Sequence, residues 1–306
     1  MTGSAADQRA LKISEEPLRP VGQQYGFVTG TVESIKDIWA HRELMGLLVR
    51  REIKARYKDS SLGFLWSLVR PLTQLLIYYF AIGQIMGLAR NIPSFAIFVF
   101  VGLTIWGLFT EIVSSGTTSI INNSGLVKKI YLPREIFPLG SVGGALFNFA
   151  IQFGILLLAT LVARQFPLTT NVLYAPLAFL TILIFGTALG IFLSSVNVYL
   201  RDVQHLVEVA LIVLFWASPI VYSFSFVHDK LNGNLLEQIY LLNPITLAVL
   251  GMQKALWVAG TTESTTANWP PDLGVRLLIV MAIGLVLLWL SQRVFSRLQG
   301  NFAQEL

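Results

Sequence analysis

The chain has 306 residues, of which 54% are hydrophobic and 13% charged, with a formal net charge of +5 and a mean hydropathy of +0.65. Because soluble domains carry about 25% charged residues, this composition excludes an ordinary soluble protein and indicates a polytopic membrane protein. The absence of cysteine from the sequence excludes disulfides and thiolate metal sites. The basic residues lie beside apolar runs, so membrane topology and anionic lipid explain them better than nucleic acid does.

The N-terminal part of the chain is polar at first and then amphipathic. Residues 1–30 mix both charges, and we expect them to form a mobile cytoplasmic tail. In residues 31–58, apolar side chains recur at helical spacing among charged ones. This pattern predicts an interfacial amphipathic helix in the plane of the membrane surface. The alternative is a solvated helix that only anchors the N-terminus.

Residues 59–306 are predicted to form an all-α domain with six transmembrane helices, because runs of roughly 20 apolar residues are long enough to cross a bilayer. The predicted spans cover about residues 62–88, 95–115, 139–162, 172–196, 206–226 and 273–290. With both termini in the cytoplasm, 17 of the 22 lysines and arginines lie on the cytoplasmic side. Loops on that side carry an excess of Lys and Arg, so we predict this orientation in the plasma (inner) membrane.

The outer segment, residues 227–262, separates the fifth and sixth predicted spans. Its apolar pieces are short, and Asn243-Pro244 interrupts them. Apolar runs of about 10–14 residues are more often re-entrant or interfacial than spanning. We therefore predict short re-entrant helices in the outer leaflet, with an ordinary seventh span as the alternative.

The coupling segment, residues 122–138, is a short basic stretch between the second and third predicted spans. Pro133 and Pro138 restrict the backbone on both sides of the sequence REIF. Apolar residues provide a packing face, and two lysines and an arginine provide charge for steering a partner. The pattern predicts a rigid segment that docks on a soluble partner. A loop without a partner would explain the lysines but not the order of apolar residues and prolines.

The energy source for transport is not apparent in the sequence. It contains no G-x-x-x-x-G-K-[ST] motif, so we do not expect the chain itself to hold ATP in that way. An ion-coupled secondary transporter or a channel, which is the alternative function, would be expected to bury ionisable residues. The candidate intramembrane charges are Arg70, Glu111 and Glu208. We interpret them as interface residues, since Arg70 can extend to the headgroups.

An enzymatic function has less support in the sequence. The three histidines have no partners at metal-binding spacing. We therefore predict no catalytic residue and no metal site, and a membrane enzyme with dispersed catalytic residues is the third function considered.

Four stretches resemble, in the same order, the permease subunits of type-2 ABC exporters of polysaccharides such as O-antigen, teichoic acid and capsular glycans. They are RYKDSSLGFLWSLVRPL, GLVKKIYLPREIFPL, VYLRDVQHLVEVALIVLFWASPIVY and LLNPIT. The resemblance runs from about residue 35 to the C-terminus. Within the family, the polar tail and the FAQEL end look like an actinobacterial member, such as the mycobacterial exporters of cell-wall galactan. Arg70, directly before Pro71, departs from the family's pattern.

The resemblance implies a homodimer of this subunit in complex with two ABC ATPase subunits. It implies export of a lipid-linked polysaccharide, with ATP and Mg²⁺ on the ATPase and no cofactor in this chain. It also implies that the coupling segment and the interfacial helix contact the ATPase. The implied contact residues are Lys128, Lys129, Tyr131, Pro133, Arg134 and Glu135 in the coupling segment, and Arg50, Arg51, Lys54, Arg56 and Tyr57 on the helix.

Aromatic residues are the candidates for a substrate path. Aromatic faces suit the apolar surface of sugar rings, and tyrosine adds a polar group. The candidates are Tyr78, Tyr79, Trp106, Phe109, Trp216 and Tyr222. The alternative is that these side chains face lipid or fill the core.

Overall fold

The computed structural model describes residues 29–57, 66–129, 132–231, 233–262 and 269–306. The regular structure of these residues is helical throughout, as predicted. The predicted mobile tail lies almost wholly outside the described residues, as do Tyr131 and the start of the first predicted span. The side chains of Arg56 and Tyr57 also lie outside them.

The α-helices follow one another along the chain, with short 3₁₀ turns at three of the connections between them. They are α1 (Thr29–Ala40), α2 (Arg42–Tyr57), α3 (Trp66–Tyr78), α4 (Phe95–Asn122), α5 (Ser124–Lys129), α6 (Ile136–Val162), α7 (Tyr174–Tyr199), α8 (Val203–Trp216), α9 (Phe224–Leu231), α10 (Leu235–Leu241), α11 (Pro244–Leu256), α12 (Val258–Thr262), α13 (Leu273–Leu298) and α14 (Phe302–Glu305).

Within the part of the chain that the structure describes, four helices are long and apolar enough to cross a membrane, namely α4, α6, α7 and α13. They coincide with the second, third, fourth and sixth predicted spans, which confirms a polytopic helical membrane protein. In the outer segment, α10 and α11 together would be a fifth candidate, but their axes meet at 76°. Asn243 lies at this bend, and its side-chain Oδ1 accepts a 3.0 Å hydrogen bond from the backbone N–H of Ile245.

Two other predicted spans have a different form in the structure. In the first, α3 continues directly into a π-helical stretch, Tyr79–Ile85. In the fifth, α8 ends at Trp216, so the helix is shorter than the predicted 206–226. Pro219 lies just beyond this end, and a proline cannot donate the backbone hydrogen bond that a continuing helix needs.

The interfacial helix predicted for residues 31–58 is two helices, α1 and α2, with a turn at His41. The backbone N–H of Met45 still bonds to the carbonyl of His41 at 3.0 Å, so the chain changes direction without a long loop. Large apolar side chains remain exposed on this segment, including Ile35, Trp39 and Leu47.

Helix α4 lies at the centre of the bundle and packs against α6, α7 and α11. Its closest approach is to α7, where a Cβ on Gly116 would lie 2.9 Å from the Cα of Gly190. The two backbones therefore touch where neither helix carries a side chain. Toward the end of the bundle that the sequence analysis predicts to face the cytoplasm, called the cytoplasmic end below, Asn197 Nδ2 of α7 donates to the carbonyl of Thr117 at 3.1 Å.

A separate apolar cluster fills the cytoplasmic end of the bundle. It joins the ends of α4, α6, α7 and α13 to α5 and α14. The buried members are Ile120, Val127, Ile136, Phe137, Ile191, Val198, Phe295 and Phe302. This cytoplasmic cluster positions the coupling segment.

Candidate coupling site

The coupling segment consists of a short helix, a proline-containing turn and the first turn of α6. Helix α5 begins directly after α4, and the N–H of Leu126 bonds back to the carbonyl of Asn123 at 2.9 Å. The N–H of Ile136 bonds to the carbonyl of Pro133 at 3.2 Å, which closes the turn before α6. Pro138 lies in the first turn of α6, where its missing N–H is not needed. The described part of the segment is therefore ordered by local hydrogen bonds.

The segment has an apolar inner face and a basic outer face. Val127, Ile136 and Phe137 are buried in the cytoplasmic cluster. Lys128 and Lys129 are exposed. This separation fits the sequence prediction of a packed segment that presents charge to a partner.

The Arg134-Glu135 pair turns toward the protein rather than away from it. The guanidinium of Arg134 lies 5.6 Å from the ring centroid of Phe302, within the range of a cation–π contact. Glu135 is only 3% exposed, and its Oε1 accepts a 3.4 Å hydrogen bond from Gln299 Nε2. Burial raises the pKa of the Glu135 carboxyl above its usual range, with Asp37 adding to the shift. Glu135 therefore lies in the interior, whereas the lysines lie on the outer surface.

Helix α2 lies against α6 next to the coupling segment. Small residues on α6 allow the approach, since a Cβ on Gly143 would lie 2.6 Å from Val49. Arg51 donates from Nη2 to Oδ1 of Asn123, at the end of α4. Arg50 and Lys54 are exposed on the same helix. The structure thus brings together two groups of residues that the sequence predicted separately.

A polar cavity of about 230 Å³ lies between α2, α4 and α6. Its lining includes Arg51 and Glu52 from α2, Thr118 and Asn122 from α4, and Ser141 from α6. The cavity marks the place where the surface helix meets the cytoplasmic ends of two spans.

The three candidate intramembrane charges have different surroundings. Glu111 lies between α4 and α6, where its Oε1 accepts a 2.6 Å hydrogen bond from Asn148 Nδ2. Glu208 pairs with His205 at 3.6 Å on the exposed surface of α8, and Arg70 is exposed on α3. Among the described residues, no group of three or more His, Asp or Glu could hold a metal ion. Only Glu111 lies between packed helices.

Three of the six predicted substrate-path aromatics meet around Phe215, a residue that the sequence did not single out. The ring centroid of Phe215 lies 5.7 Å from that of Tyr78, 5.5 Å from Trp106 and 5.4 Å from Trp216. Trp106 is 8% exposed and Phe109 1%, so these two rings are part of the core.

The remaining path candidates lie at the edges of this group. Trp216 is 54% exposed. Tyr222 donates to the carbonyl of Trp216 at 2.8 Å, and its hydroxyl is 3.3 Å from that of Tyr240. Tyr79 packs edge-on against Phe80. Trp216 is therefore the most exposed of the six candidate rings, and Tyr78, Tyr79 and Tyr222 are half-buried.

Sequence reasoning missed Phe302 and Gln299, which contact the coupling segment, and the buried Arg293. Phe302 is fully buried and Arg293 is 8% exposed. The Nε and Nη2 atoms of Arg293 have no hydrogen-bond partner among the described residues. Residue spacing gave no signal for these contacts, because they join positions far apart in the chain.

Comparison with known proteins adds independent information. A family model described as ABC-2 type transporter matches residues 43–257. The O-antigen export system permease protein RfbA of Myxococcus xanthus is 30% identical over 275 residues, which cover 90% of this chain and 100% of that protein. RfbA of Klebsiella pneumoniae is 26% identical over 262 residues, or 86% of this chain and 94% of the relative.

A third relative, with a different name, matches less of the chain. The polysialic acid transport protein KpsM of Escherichia coli is 25% identical over 244 residues, which cover 78% of this chain and 90% of that protein. The family model covers more than half of this chain, and the M. xanthus relative is matched over its full length. The chain therefore belongs to the ABC-2 type transporter family.

Proposed function

We propose that this chain is the transmembrane subunit of an ATP-driven exporter that moves a lipid-linked polysaccharide from the cytoplasmic side across the plasma membrane. The observation that carries the proposal is the coupling segment, which is ordered, packed on the cytoplasmic cluster and basic on its exposed side. The relatives are named as an O-antigen export permease and a polysialic acid transport protein, and these names support a glycan as the cargo.

The proposed complex contains two copies of this chain and two copies of a separate ABC ATPase, which holds ATP and Mg²⁺. The exposed Lys128 and Lys129 of the coupling segment, with Arg50 and Lys54 of α2, are the residues proposed to meet the ATPase. Arg51 would position the end of α4 through Asn123. The described residues alone give no reason to assign a cofactor to this chain.

The proposed topology has six spans with both termini in the cytoplasm. Helix α3 with its π-helical extension and the short α8 would be the first and fifth spans. The bent α10 and α11 would form a re-entrant element of the outer segment, supported by the 76° angle between them. The tail, the two surface helices and the six-span domain would then be the three parts of the chain.

The glycan path is proposed to run along the exposed edge of the aromatic group, past Trp216 and Tyr222. The buried Trp106 and Phe109 would support this edge from the core. Cell-wall galactan is the first glycan to test, on the support of the polar tail and the FAQEL end alone.

The first experiment is a pull-down of this chain from gently solubilised native membranes, followed by mass spectrometry. We expect a near-stoichiometric ABC ATPase to copurify. If a homo-oligomer is recovered without an ATPase, in a detergent that preserves other ABC complexes, the exporter proposal fails. An ion-coupled transporter or channel would then be favoured, with Glu111 as the first residue to substitute.

The second experiment reverses one exposed charge of the coupling segment. We expect Lys128→Glu to lower glycan export by about tenfold or more while the protein still inserts and folds, because Lys128 is exposed and reversing a charge beside a docking site opposes association. Arg90→Glu, an exposed arginine on the predicted outer side, is the matched control. Normal export by Lys128→Glu at wild-type abundance would contradict the assigned coupling role.

A further inference from the structure

The last 18 residues, 289–306, contact α1, α7 and the coupling segment. In their first turn, Trp289 Nε1 donates to Thr31 Oγ1 at 3.1 Å, and Gln292 Nε2 donates to Ser34 Oγ at 2.9 Å. These bonds join the last span to the surface helix α1. The chain positions that they connect are 258 residues apart.

The next two turns contact the coupling segment and α7. Gln299 Nε2 bonds to the buried carboxylate oxygen Oε1 of Glu135 at 3.4 Å. The backbone carbonyl of Leu298 accepts a 2.7 Å hydrogen bond from the hydroxyl of Tyr199. Leu298 and Gln299, at the end of α13, thus contact α7 and the coupling segment respectively.

Phe302 is the centre of these contacts. Its ring is fully buried and lies 5.5 Å from the ring of Phe295 and 6.1 Å from the ring of Tyr199. The guanidinium of Arg134 lies over the same ring. Phe302 therefore anchors this stretch to both α7 and the coupling segment.

We propose that residues 289–306 form a C-terminal clasp that holds the coupling segment, α1 and the last span together, so that they move as one unit when the ATPase moves the coupling segment. Phe302 and Gln299 are positioning residues in this proposal, acting through Arg134 and Glu135. The proposal rests on the proposed function, since it assumes an ATPase that acts on the coupling segment. It adds a transmission element outside the residues that would touch the ATPase.

The physical basis is that the clasp connects elements that otherwise share few contacts. Helix α1 reaches the last span through the Trp289 and Gln292 side chains, and the Arg134-Glu135 pair reaches it through Phe302 and Gln299. Without the clasp, a displacement of the coupling segment would be absorbed by local bending. With it, the displacement reaches the cytoplasmic end of α13 directly.

The test measures glycan exported per ATP hydrolysed by the whole complex in proteoliposomes. We expect Phe302→Ala to keep the ATPase bound but to lower this ratio by about threefold or more, within the range for residues that transmit coupling. Phe302→Leu, which keeps an apolar side chain but removes the ring, is expected to lower the ratio as well. Gln304→Ala, an exposed substitution in the same helix, is the matched control and should leave the ratio unchanged.

The outcomes separate the clasp from the proposed function. If Lys128→Glu uncouples export while both Phe302 variants keep a normal ratio, the clasp is overturned and the exporter function stands. If Phe302→Ala does not fold, Phe302→Leu decides, together with Gln299→Ala. If the wild-type chain binds no ATPase, the proposed function fails, and the clasp fails with it.

Discussion

At the cytoplasmic end, side chains from α1, α7, the coupling segment and the C-terminal clasp bond to one another across long stretches of sequence. At the outer end, the helices are interrupted, and side chains bond to the backbone carbonyls that the interruptions leave free. Gln253 Nε2 donates to the carbonyl of Pro219 at 2.9 Å, and Trp257 Nε1 donates to that of Pro93 at 2.7 Å. Most of the named contacts at the cytoplasmic end join two side chains, although Asn197 and Tyr199 there also donate to backbone carbonyls, whereas these outer contacts join a side chain to a carbonyl beside a helix interruption.

This difference has a physical reason. Backbone groups at membrane depth must find partners within the protein, because lipid offers none. The outer helix ends at Trp216 and Asn243 therefore need fixed donors, which makes that region intolerant of change. At the cytoplasmic end, water can satisfy exposed backbone groups, so side chains are available for contacts between segments. We infer that the outer end maintains the fold and the cytoplasmic end transmits movement.

The largest expected effect tests the outer end. Trp257 is 2% exposed and packs against Phe98 at 4.9 Å between ring centroids. We expect Trp257→Ala to lower the free energy of unfolding by about 3–5 kcal/mol, with a further loss because the carbonyl of Pro93 loses its donor. Thermal unfolding of the purified protein in detergent measures this. Trp216→Ala is the control, since a half-exposed ring should contribute much less.

An intermediate effect is expected at Glu135, a residue of the cytoplasmic end, through which the stability of the folded protein should depend on pH. Because burial raises the pKa of this carboxyl in the folded state, the folded protein favours the neutral form. The free energy of unfolding that this raised pKa contributes is fully present below the unfolded pKa of about 4.3. It is lost as the pH rises through the folded pKa. We expect Glu135→Gln to be more stable than the wild type at pH 8, and the difference to shrink toward pH 4.

The measurement is the unfolding temperature of both proteins across this pH range. Glu305→Gln, an exposed carboxyl at the C-terminus, is the control and should follow the wild type. A wild type that gains stability relative to Glu135→Gln as the pH rises would contradict the assignment of a buried, destabilised carboxylate.

The smallest effect is expected at Arg293. Its buried guanidinium has two nitrogen atoms without a partner among the described residues, and an unpartnered buried charge is costly. We expect Arg293→Met to change the free energy of unfolding by less than about 1 kcal/mol or to raise it, since apolar residues often replace buried charges without loss. A clear loss of unfolding temperature would show that this guanidinium is needed for the cytoplasmic end.

The existence of the four long spans could be predicted from the sequence alone. The starts of α4, α6, α7 and α13 lie within about three residues of the predictions because each is a long apolar run preceded by polar residues, but α4 and α13 continue past their predicted ends to Asn122 and Leu298. The end of α8 at Trp216 was missed, although Pro219 was visible, because an apolar run on both sides of the proline outweighed it. Long runs thus predict a helix more reliably than they predict where it stops.

The candidate site was only partly predictable. The apolar and basic faces of the coupling segment followed from the order of its residues. Its contact with Phe302 did not, because residue spacing carries no information about positions so far apart. The aromatic candidates had the same limit, since the sequence did not distinguish the buried Trp106 from the exposed Trp216.

The π-helical stretch Tyr79–Ile85 has a consequence for how this chain can change over evolution. A π-helical turn contains one residue more than an α-helical turn, so the stretch is equivalent to a single-residue insertion in α3. One residue of an α-helix corresponds to about 100° of rotation around its axis. Loss of one residue at the start of the stretch would therefore rotate the residues that follow it, including Gly83, which lies against the ring of Phe95. Relatives should accept substitutions in this stretch more readily than a change in its length.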